Sequence, residues 1–280
     1  MPPSLLSYET LVHAVAGATG SVVGMAAFYP LDTLRSRLQV DNDLKMKGSS
    51  WELLLRLANE EGIEALYRGI SPVLQSVSVS NFVYFYVFHA LRRLHTGEVS
   101  ALRDLLIGSV AGVVNVIITS PLWVVNMRMK VDKNSYDSLL SGLIEISKKE
   151  GAKGLWSGVL PSLLLVSNPA IQFMIYEYLK RHIVASGKFN AYSAFLIAAI
   201  AKAIATTLTY PLQLIQSRLR AGTSLKPLWR DVKSKPSVMF RGLEAKLLQT
   251  VMTAALMFFI YEKVVRLVLM IMRVKMSQRK

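Results

Sequence analysis

The 280-residue sequence predicts an all-α membrane protein with six transmembrane helices in three repeats of about 90 residues. Three observations support this fold class. Hydrophobic residues make up 52% of the chain and its mean hydropathy is +0.37, which is too apolar for a soluble domain of this length. Lys and Arg number 33 against 18 Asp and Glu, and they lie mainly between long apolar stretches. Three Pro-Leu dipeptides recur at intervals of 91 and 90 residues.

The six predicted spans are the long stretches without charged residues. They are 14–31, 69–88, 105–127, 155–176, 189–201 continued by 203–217, and 247–261. A span needs roughly 20 apolar residues, so polar positions that face the interior extend the shorter helices beyond the uncharged stretch. The first, third and fifth stretches are rich in Gly and Ala, which allow helix backbones to approach closely in lipid.

Each repeat shows the same order of features: a helix, a polar loop with a short amphipathic segment, and a second helix. The first helices end on the dipeptides that begin at Pro30, Pro121 and Pro211. A proline removes one backbone hydrogen bond and kinks a membrane helix, so three such helices can converge and close a cavity at one end. We place the repeats at 1–97, 98–186 and 187–280. The third loop lacks the Glu-Gly pair of the other two, so its amphipathic helix is expected to be incomplete.

The composition excludes several classes of function. The absence of cysteine rules out disulfides, thiolate nucleophiles and cysteine-ligated metals, and the four His residues show no metal-ligand spacing. We find no nucleophile–base constellation, so neither an enzyme nor a resident cofactor is expected. Because the basic residues lie between apolar stretches, nucleic acid is not an expected partner. The N-terminus shows no charged start followed by a small-residue cleavage site, so no secretory signal is expected.

The sequence around Pro30 resembles the signature of the mitochondrial carrier family, Pro-x-[Asp/Glu]-x-x-[Lys/Arg]-x-[Lys/Arg]. Residues 30–37 read Pro-Leu-Asp-Thr-Leu-Arg-Ser-Arg and match it at every defined position. The resemblance covers essentially the whole chain. It implies a pseudo-threefold carrier bundle with short amphipathic loop-side helices, which moves solutes by alternating access through a cavity enclosed by one chain. A monomer is therefore expected.

The resemblance also implies a gate on the side of the bundle that carries the long loops, here called the loop side. In the family, the motif's acid on one odd-numbered helix pairs with the base on the next. We assign to this gate Pro30, Asp32, Arg35, Pro121, Asn126, Pro211, Gln213 and Gln216. Asp32 is expected to face Asn126, Trp123 to face Gln216, and Gln213 to face Arg35. Since none of these is an ion pair, hydrogen bonds would hold a loosely latched gate.

At the opposite, cytosolic end, the family's even-numbered helices carry an aromatic-acid-x-x-base pattern. The residues that match it in part are Arg92, Glu177, Lys180 and Glu262. Two links are expected, Arg92 with Glu177 and Lys180 with Glu262. Solvated helix ends are the alternative interpretation.

Lys202 is the strongest candidate for contact with the solute. An ammonium that faces lipid costs roughly 3 kcal/mol or more, so Lys202 is expected to face the cavity and to hold an anion. Lys246 lies one turn before Gln249, although interfacial snorkelling is an alternative for Lys246. The resemblance implies solute contacts at Gln249 and Ser76. Stacking and amide hydrogen bonds to a purine are expected from Phe82, Tyr86, Asn168, Gln172 and Phe173, with helix packing as the alternative.

Within the family, the chain is similar to the peroxisomal carriers of adenine nucleotides and cofactors in animals, in stretches such as 80–86, 121–126, 168–174 and 242–250. The expected activity is an exchange, with some uniport, of CoA, FAD, NAD, AMP, ADP and ATP across the peroxisomal membrane. A nucleotide carrier of the mitochondrial inner membrane and a non-transporting scaffold are the alternatives.

The orientation expected from the family places both termini in the cytosol. A positive-inside count opposes it, because the long loops hold 20 of the Lys and Arg residues and the opposite face holds 12. Basic residues at 180–182 and 188 resemble a peroxisomal targeting patch, which implies a membrane-protein import receptor as a partner. A solvated loop explains them equally well.

Overall fold

The computed structural model describes residues 23–40, 49–93, 101–131, 136–185, 191–253, 256 and 263. In chain order the helices are α1 (Tyr29–Val40), α2 (Ser50–Glu61), α3 (Ile63–Leu66), α4 (Ile70–Arg93), α5 (Ala101–Val131), α6 (Leu139–Leu155), α7 (Val159–Leu164), α8 (Asn168–Ala185), α9 (Ala191–Arg220) and α10 (Lys226–Ser234). Residues 243–253 form a further helix, α11. Two 3₁₀ segments, Leu165–Ser167 and Pro236–Phe240, follow α7 and α10. These described ranges contain no strand, as the all-α prediction requires.

Three stretches of the described residues are long and apolar enough to cross a membrane. They are Arg103–Val131, Val159–Val184 and Ser193–Arg220. Most residues of their apolar parts lie at the protein surface, as expected of helices whose outer faces contact lipid. At 1.5 Å per residue α5 extends about 46 Å, so its basic last turn projects beyond a hydrocarbon core of about 30 Å. Parts of the predicted spans 14–31 and 247–261 lie outside the described residues.

The second helix of one repeat packs against the first helix of the next. α4 lies along α5, and α8 lies along α9. α1 contacts both α5 and α9, so the loop-side ends of the three proline-containing helices meet. This is the cyclic arrangement that the three sequence repeats predict.

A small apolar core lies beneath the loop-side end of each proline-containing helix. In repeat order, the buried clusters include Leu34 with Leu57, Val125 with Ile146, and Leu214 with Leu228. Full burial of a Leu or Ile side chain contributes about 1.5–3 kcal/mol, so each cluster fixes its loop-side helix against the bundle. Ser49 and Ser138 each begin such a helix with a capping box, which satisfies two backbone N–H groups at its first turn.

The loop-side helix of the third repeat is shorter than the others. α10 has nine residues, against 12 in α2 and 17 in the kinked α6. Leu225 precedes it without a side-chain cap. Lys235 then adopts an extended conformation before Pro236, since a following proline disfavours the α-helical region. The prediction of an incomplete third amphipathic helix is confirmed.

Two arginines at equivalent positions tie the loop-side helices to the bundle. Arg37 donates to Glu61 at 3.0 Å, and Arg128 Nη2 donates to Glu150 Oε2 at 2.9 Å as half of a bidentate pair. The third repeat has Lys235 where the acid stands in the others. Its arginine, Arg218, instead donates from Nε to the carbonyl oxygen of Gln39 at 2.7 Å. The third repeat is therefore joined directly to the end of α1.

Replacing Glu150 by Gln is expected to remove part of the stability of the second loop at neutral pH. The hydrogen bond from Arg128 lowers the pKa of Glu150 below its ordinary value of 4.5. Since the folded pKa is the lower one, the pair stabilises above pH 4.5, and this stability is lost as pH falls through the folded value. The glutamate is 42% exposed, so we expect less than about 1 kcal/mol.

Thermal unfolding of the full chain between pH 3 and 7 measures this effect. Glu145→Gln is the matched control, because Glu145 pairs on the same helix with Lys149, which is 69% exposed. An unchanged pH profile in Glu150→Gln, or the same change in both variants, contradicts the assignment.

Candidate solute cavity

A cavity of about 230 Å³ lies where the loop-side ends of the three repeats meet. Among the residues that the structure describes, the charged side chains in its lining are Asp32, Arg35, Lys130, Arg220 and Lys246. They come from α1, α5, α9 and α11, and so from all three repeats. Four cations against one carboxylate make the cavity a strongly positive environment, which favours an anionic group.

Asp32 is the centre of the ion pairs in this cavity. The Lys130 ammonium donates to Asp32 Oδ2, and Arg35 Nη2 lies 3.4 Å from Asp32 Oδ1. Lys130 also lies 4.9 Å above the ring of Tyr29, and its side chain is only 7% exposed. A partly buried ion pair therefore joins the first repeat to the second.

This pairing corrects the expectation that Asp32 faces Asn126. The Asn126 side chain is buried, and its Nδ2 donates to Ser76 Oγ at 2.7 Å. Ser76 is fully buried and uses its hydroxyl to hold Asn126. The structure therefore places Ser76 in the packing between α4 and α5, whereas a solute-contacting position was expected.

The two glutamines of the expected gate also have other partners. Gln213 Nε2 donates to Thr209 Oγ1 at 3.1 Å, one turn earlier in α9, rather than to Arg35. Gln216 Nε2 donates to Ser162 Oγ at 2.7 Å, and Arg220 Nη2 donates to the same hydroxyl at 3.1 Å. Within the described residues the gate thus contains one ion pair between repeats, Asp32 with Lys130, whereas the sequence predicts hydrogen bonds alone.

Lys202 lies in the membrane-spanning part of α9, 18 residues before Arg220 and with Pro211 between them. Lys202 is exposed, and its charge acts on Lys246. Lys246 and Gln249 both line the cavity. The structure brings these three predicted residues toward one region of the bundle.

Phe82 and Tyr86 face away from the cavities. Tyr84, midway between them in α4, lines a cavity, whereas Phe82 and Tyr86 are rotated from it by about 200° around the helix. They are 71% and 68% exposed, and their rings stack with centroids 6.0 Å apart. This position suits contact with lipid, and stacking on a purine stays a prediction.

The three predicted residues in α8 have different surroundings. Asn168 Nδ2 donates to Thr209 Oγ1 at 2.9 Å and so links α8 to α9. Phe173 is exposed and lies one turn beyond Pro169, which lines a second cavity. Gln172, beside Phe173, is half-buried.

The second cavity has a volume of about 320 Å³ and lies between α4, α5, α7, α8 and α9. It extends along α5 from Asp104 to Val116. Gln216 and Arg220 line this cavity and also the charged one, so the two meet at these side chains. A solute longer than either cavity therefore has contiguous space.

The ion pairs at the opposite end differ from those expected. Arg92 Nη2 lies 3.6 Å from Asp104 Oδ2, so its acidic partner is on α5 rather than at Glu177 on α8. Glu177 instead lies 3.4 Å from Lys180, one turn along its own helix. Glu262 lies outside the described residues. In the part of the chain that the structure describes, this end has no ion pair between α4 and α8.

Sequence reasoning did not single out Lys130, Arg220 or Asp104. Lys130 and Arg220 occupy the same place in their repeats, nine residues after Pro121 and Pro211. The motif ends two residues earlier, at the second basic position. Comparing the repeats for two more residues would have revealed both cations.

Comparison with known proteins shows the same three repeats. The family of mitochondrial carrier proteins matches residues 7–99, 97–187 and 187–271. A mouse protein named peroxisomal membrane protein PMP34 is 47% identical over 99% of both chains. An Arabidopsis thaliana protein named peroxisomal nicotinamide adenine dinucleotide carrier is 31% identical, over 92% of this chain and 96% of its own.

A further Arabidopsis thaliana protein, named nicotinamide adenine dinucleotide transporter 1, chloroplastic, is 32% identical over 95% of this chain and 94% of its own. These relatives are similar to the chain along nearly its full length. The cyclic packing of the described helices agrees with the three matched repeats. The chain therefore belongs to the mitochondrial carrier family and is a membrane transporter rather than an enzyme.

Proposed function

We propose that this transporter exchanges adenine-containing nucleotides and cofactors across the peroxisomal membrane by alternating access. The solutes that we assign are CoA, FAD, NAD, AMP, ADP and ATP. The observation that carries this proposal is the cavity in which four cations surround one carboxylate. Such an excess of positive charge attracts phosphate-bearing solutes and disfavours cations.

Lys202 supports the same class of solute. It lies inside a membrane-spanning helix, where an ammonium is costly unless it faces water or an anion. Its charge acts on Lys246, which lines the cavity, so Lys202 adds to the positive charge there. Charge-assisted hydrogen bonds to phosphate oxygens are among the strongest that a protein makes, so Lys202 and Lys246 are the residues that we assign to phosphate.

The adjoining cavity of about 320 Å³ supports a solute with a larger, less charged part. Its walls combine apolar side chains such as Leu165 and Val166 with the hydroxyl of Tyr84 and the amide of Asn115. Ligand sites typically combine apolar walls with a few polar groups in this way. We assign this space to the part of the solute that carries no phosphate.

The proposed compartment rests on the names of the relatives. The mouse relative and one Arabidopsis relative are named as peroxisomal proteins, and the latter as a carrier of a dinucleotide. We extend this to a monomeric carrier with cytosolic termini that an import receptor delivers through the basic residues at 180–182 and 188. Imaging of the tagged full chain with peroxisomal and mitochondrial markers tests the compartment, and a mitochondrial signal overturns it.

Lys202→Ala is expected to reduce nucleotide uptake about tenfold or more, since a hydrogen bond to a charged group contributes about 1.5–3 kcal/mol. The measurement is uptake of labelled CoA, AMP, ATP and NAD into liposomes that contain the purified chain. Internal nucleotide should accelerate uptake if the carrier exchanges, and uptake without it measures uniport. Lys202→Arg should retain most of the activity because it keeps the charge.

Lys226→Ala is the matched control, because Lys226 is exposed on the loop-side helix α10. It should transport like the unmodified chain. Negligible uptake of every solute by a folded, reconstituted protein would establish the scaffold alternative. Equal uptake by Lys202→Ala and the unmodified chain would remove Lys202 from the solute site.

A further inference from the structure

We propose that the charged cavity contains a binding site for a phosphate group formed by Arg35, Arg220 and Lys246, here called the phosphate clamp. We further propose that phosphate bound there completes the closed loop-side gate. The identity of the solute that delivers the phosphate rests on the proposed function. The position of the site and its role in closure are additional to that function.

The cations of the clamp have too little negative charge around them. Asp32 is the only carboxylate in the described lining of this cavity, and Lys130 already occupies its Oδ2. Arg35 reaches only Oδ1, at 3.4 Å. The repeat positions equivalent to Asp32 hold Trp123 and Gln213, so the second and third repeats supply no carboxylate there.

Several donors of the clamp have no acceptor among the residues that the structure describes. The Nε atoms of Arg35 and Arg220 are buried without a hydrogen-bond partner. In the same described set, the Lys246 ammonium makes no hydrogen bond or ion pair, although Lys246 lines the cavity. The charge of Arg35 acts on both Arg220 and Lys246, so Arg35 repels each of them. An anion between them would accept hydrogen bonds from the unpaired donors and would weaken the repulsion.

Phosphate is the anion whose chemistry fits this arrangement. Its several oxygens accept hydrogen bonds from more than one cation, and the planar guanidinium of arginine presents two donors to them in parallel. The cavity of about 230 Å³ has the volume of about eight water molecules, which leaves room for a phosphate group. A carboxylate has two oxygens and one charge, so it satisfies fewer of the donors.

A phosphate in the clamp would join the first repeat to the third, and none of the gate's described ion pairs joins these two repeats. Arg35 belongs to α1 in the first repeat, whereas Arg220 and Lys246 belong to α9 and α11 in the third. The ion pair of Asp32 with Lys130 already connects the first repeat to the second. The closed gate therefore consists of one ion pair supplied by the protein and one bridge supplied by the solute. Closure on this side then depends on an anion.

The test measures how inorganic pyrophosphate changes the thermal unfolding midpoint of the purified full chain in detergent, at constant ionic strength. Pyrophosphate should raise the midpoint, and Arg220→Gln should weaken its apparent affinity about tenfold or more. Arg230→Gln is the matched control, because Arg230 is exposed on α10. AMP should compete with pyrophosphate, whereas adenosine should not, which separates the phosphate group from the base.

A second variant keeps the test decisive if Arg220→Gln fails to fold. Gln216→Glu places a carboxylate in the cavity, one turn before Arg220, with almost no change in size. It should raise the midpoint without ligand and abolish the shift caused by pyrophosphate. An undiminished shift in both variants overturns the clamp.

Failure of the clamp and failure of the proposed function give different results. If the chain exchanges nucleotides, but neither substitution changes the shift that pyrophosphate causes in the unfolding midpoint, the clamp alone is rejected. A pyrophosphate shift that depends on Arg220 in a chain that transports no nucleotide rejects the proposed function alone. Binding of inorganic phosphate without competition by AMP identifies free phosphate, rather than a phosphate-bearing solute, as the source.

Discussion

Replacing Asp32 by Asn is expected to destabilise the protein by about 3–5 kcal/mol, the usual effect of removing one partner of a buried ion pair. The side chains of Asp32, Arg35 and Lys130 are 17%, 16% and 7% exposed. Without the carboxylate, two cations face each other beside two more in the same cavity. Thermal unfolding of the full chain should show a lower midpoint, and the loop-side gate should close less completely.

The double variant Asp32→Asn/Lys130→Met separates the loss of the pair from other effects of the substitution. It removes the unpaired ammonium as well as the carboxylate, so it should recover a substantial part of the stability that Asp32→Asn alone loses. A double variant whose loss equals the sum of both single losses contradicts a direct pair.

The organisation of the chain could be predicted because each repeat carries its own physical markers. Pro121 and Pro211 stand within long helices, and polar loops with short amphipathic helices follow each proline-containing helix. These features depend on local sequence, so three copies of them reveal the repeat without knowledge of contacts. The cyclic packing of α4 on α5 and of α8 on α9 follows once the repeats are known.

The partners within the cavity could not be predicted in the same way. The family pattern ends at its second basic position and predicts that Asn126, at the first basic position of the second repeat, faces Asp32. Lys130 lies one turn beyond Asn126 and outside the pattern, and its longer side chain reaches Asp32. The orientation of Phe82 and Tyr86 could not be predicted for a different reason. Polar side chains such as Gln75, Ser78 and Asn81 occur on several faces of α4, so its sequence does not distinguish the lipid-facing side from the cavity.

Gly158→Ala is expected to destabilise the protein by about 2–4 kcal/mol. Gly158 has a φ of +78°, a left-handed conformation that costs an L-residue about 1–2 kcal/mol. A Cβ there would lie 3.0 Å from the carbonyl oxygen of Gln216 and 3.3 Å from Cγ of Arg220. The carbonyl belongs to a helix and cannot move independently, so overpacking adds to the conformational cost.

Gly69→Ala is the matched control for this effect. Gly69 begins α4 with the same backbone hydrogen bonds and a φ of +77°, but a Cβ there would lie no closer than 3.5 Å to its neighbours, so mainly the conformational cost of about 1–2 kcal/mol applies. The difference between the two variants in thermal unfolding therefore measures the contact with α9. Because α9 carries Gln216 and Arg220 into both cavities, Gly158→Ala should also weaken solute binding. Equal losses in both variants would show that the close approach to α9 contributes nothing beyond backbone strain.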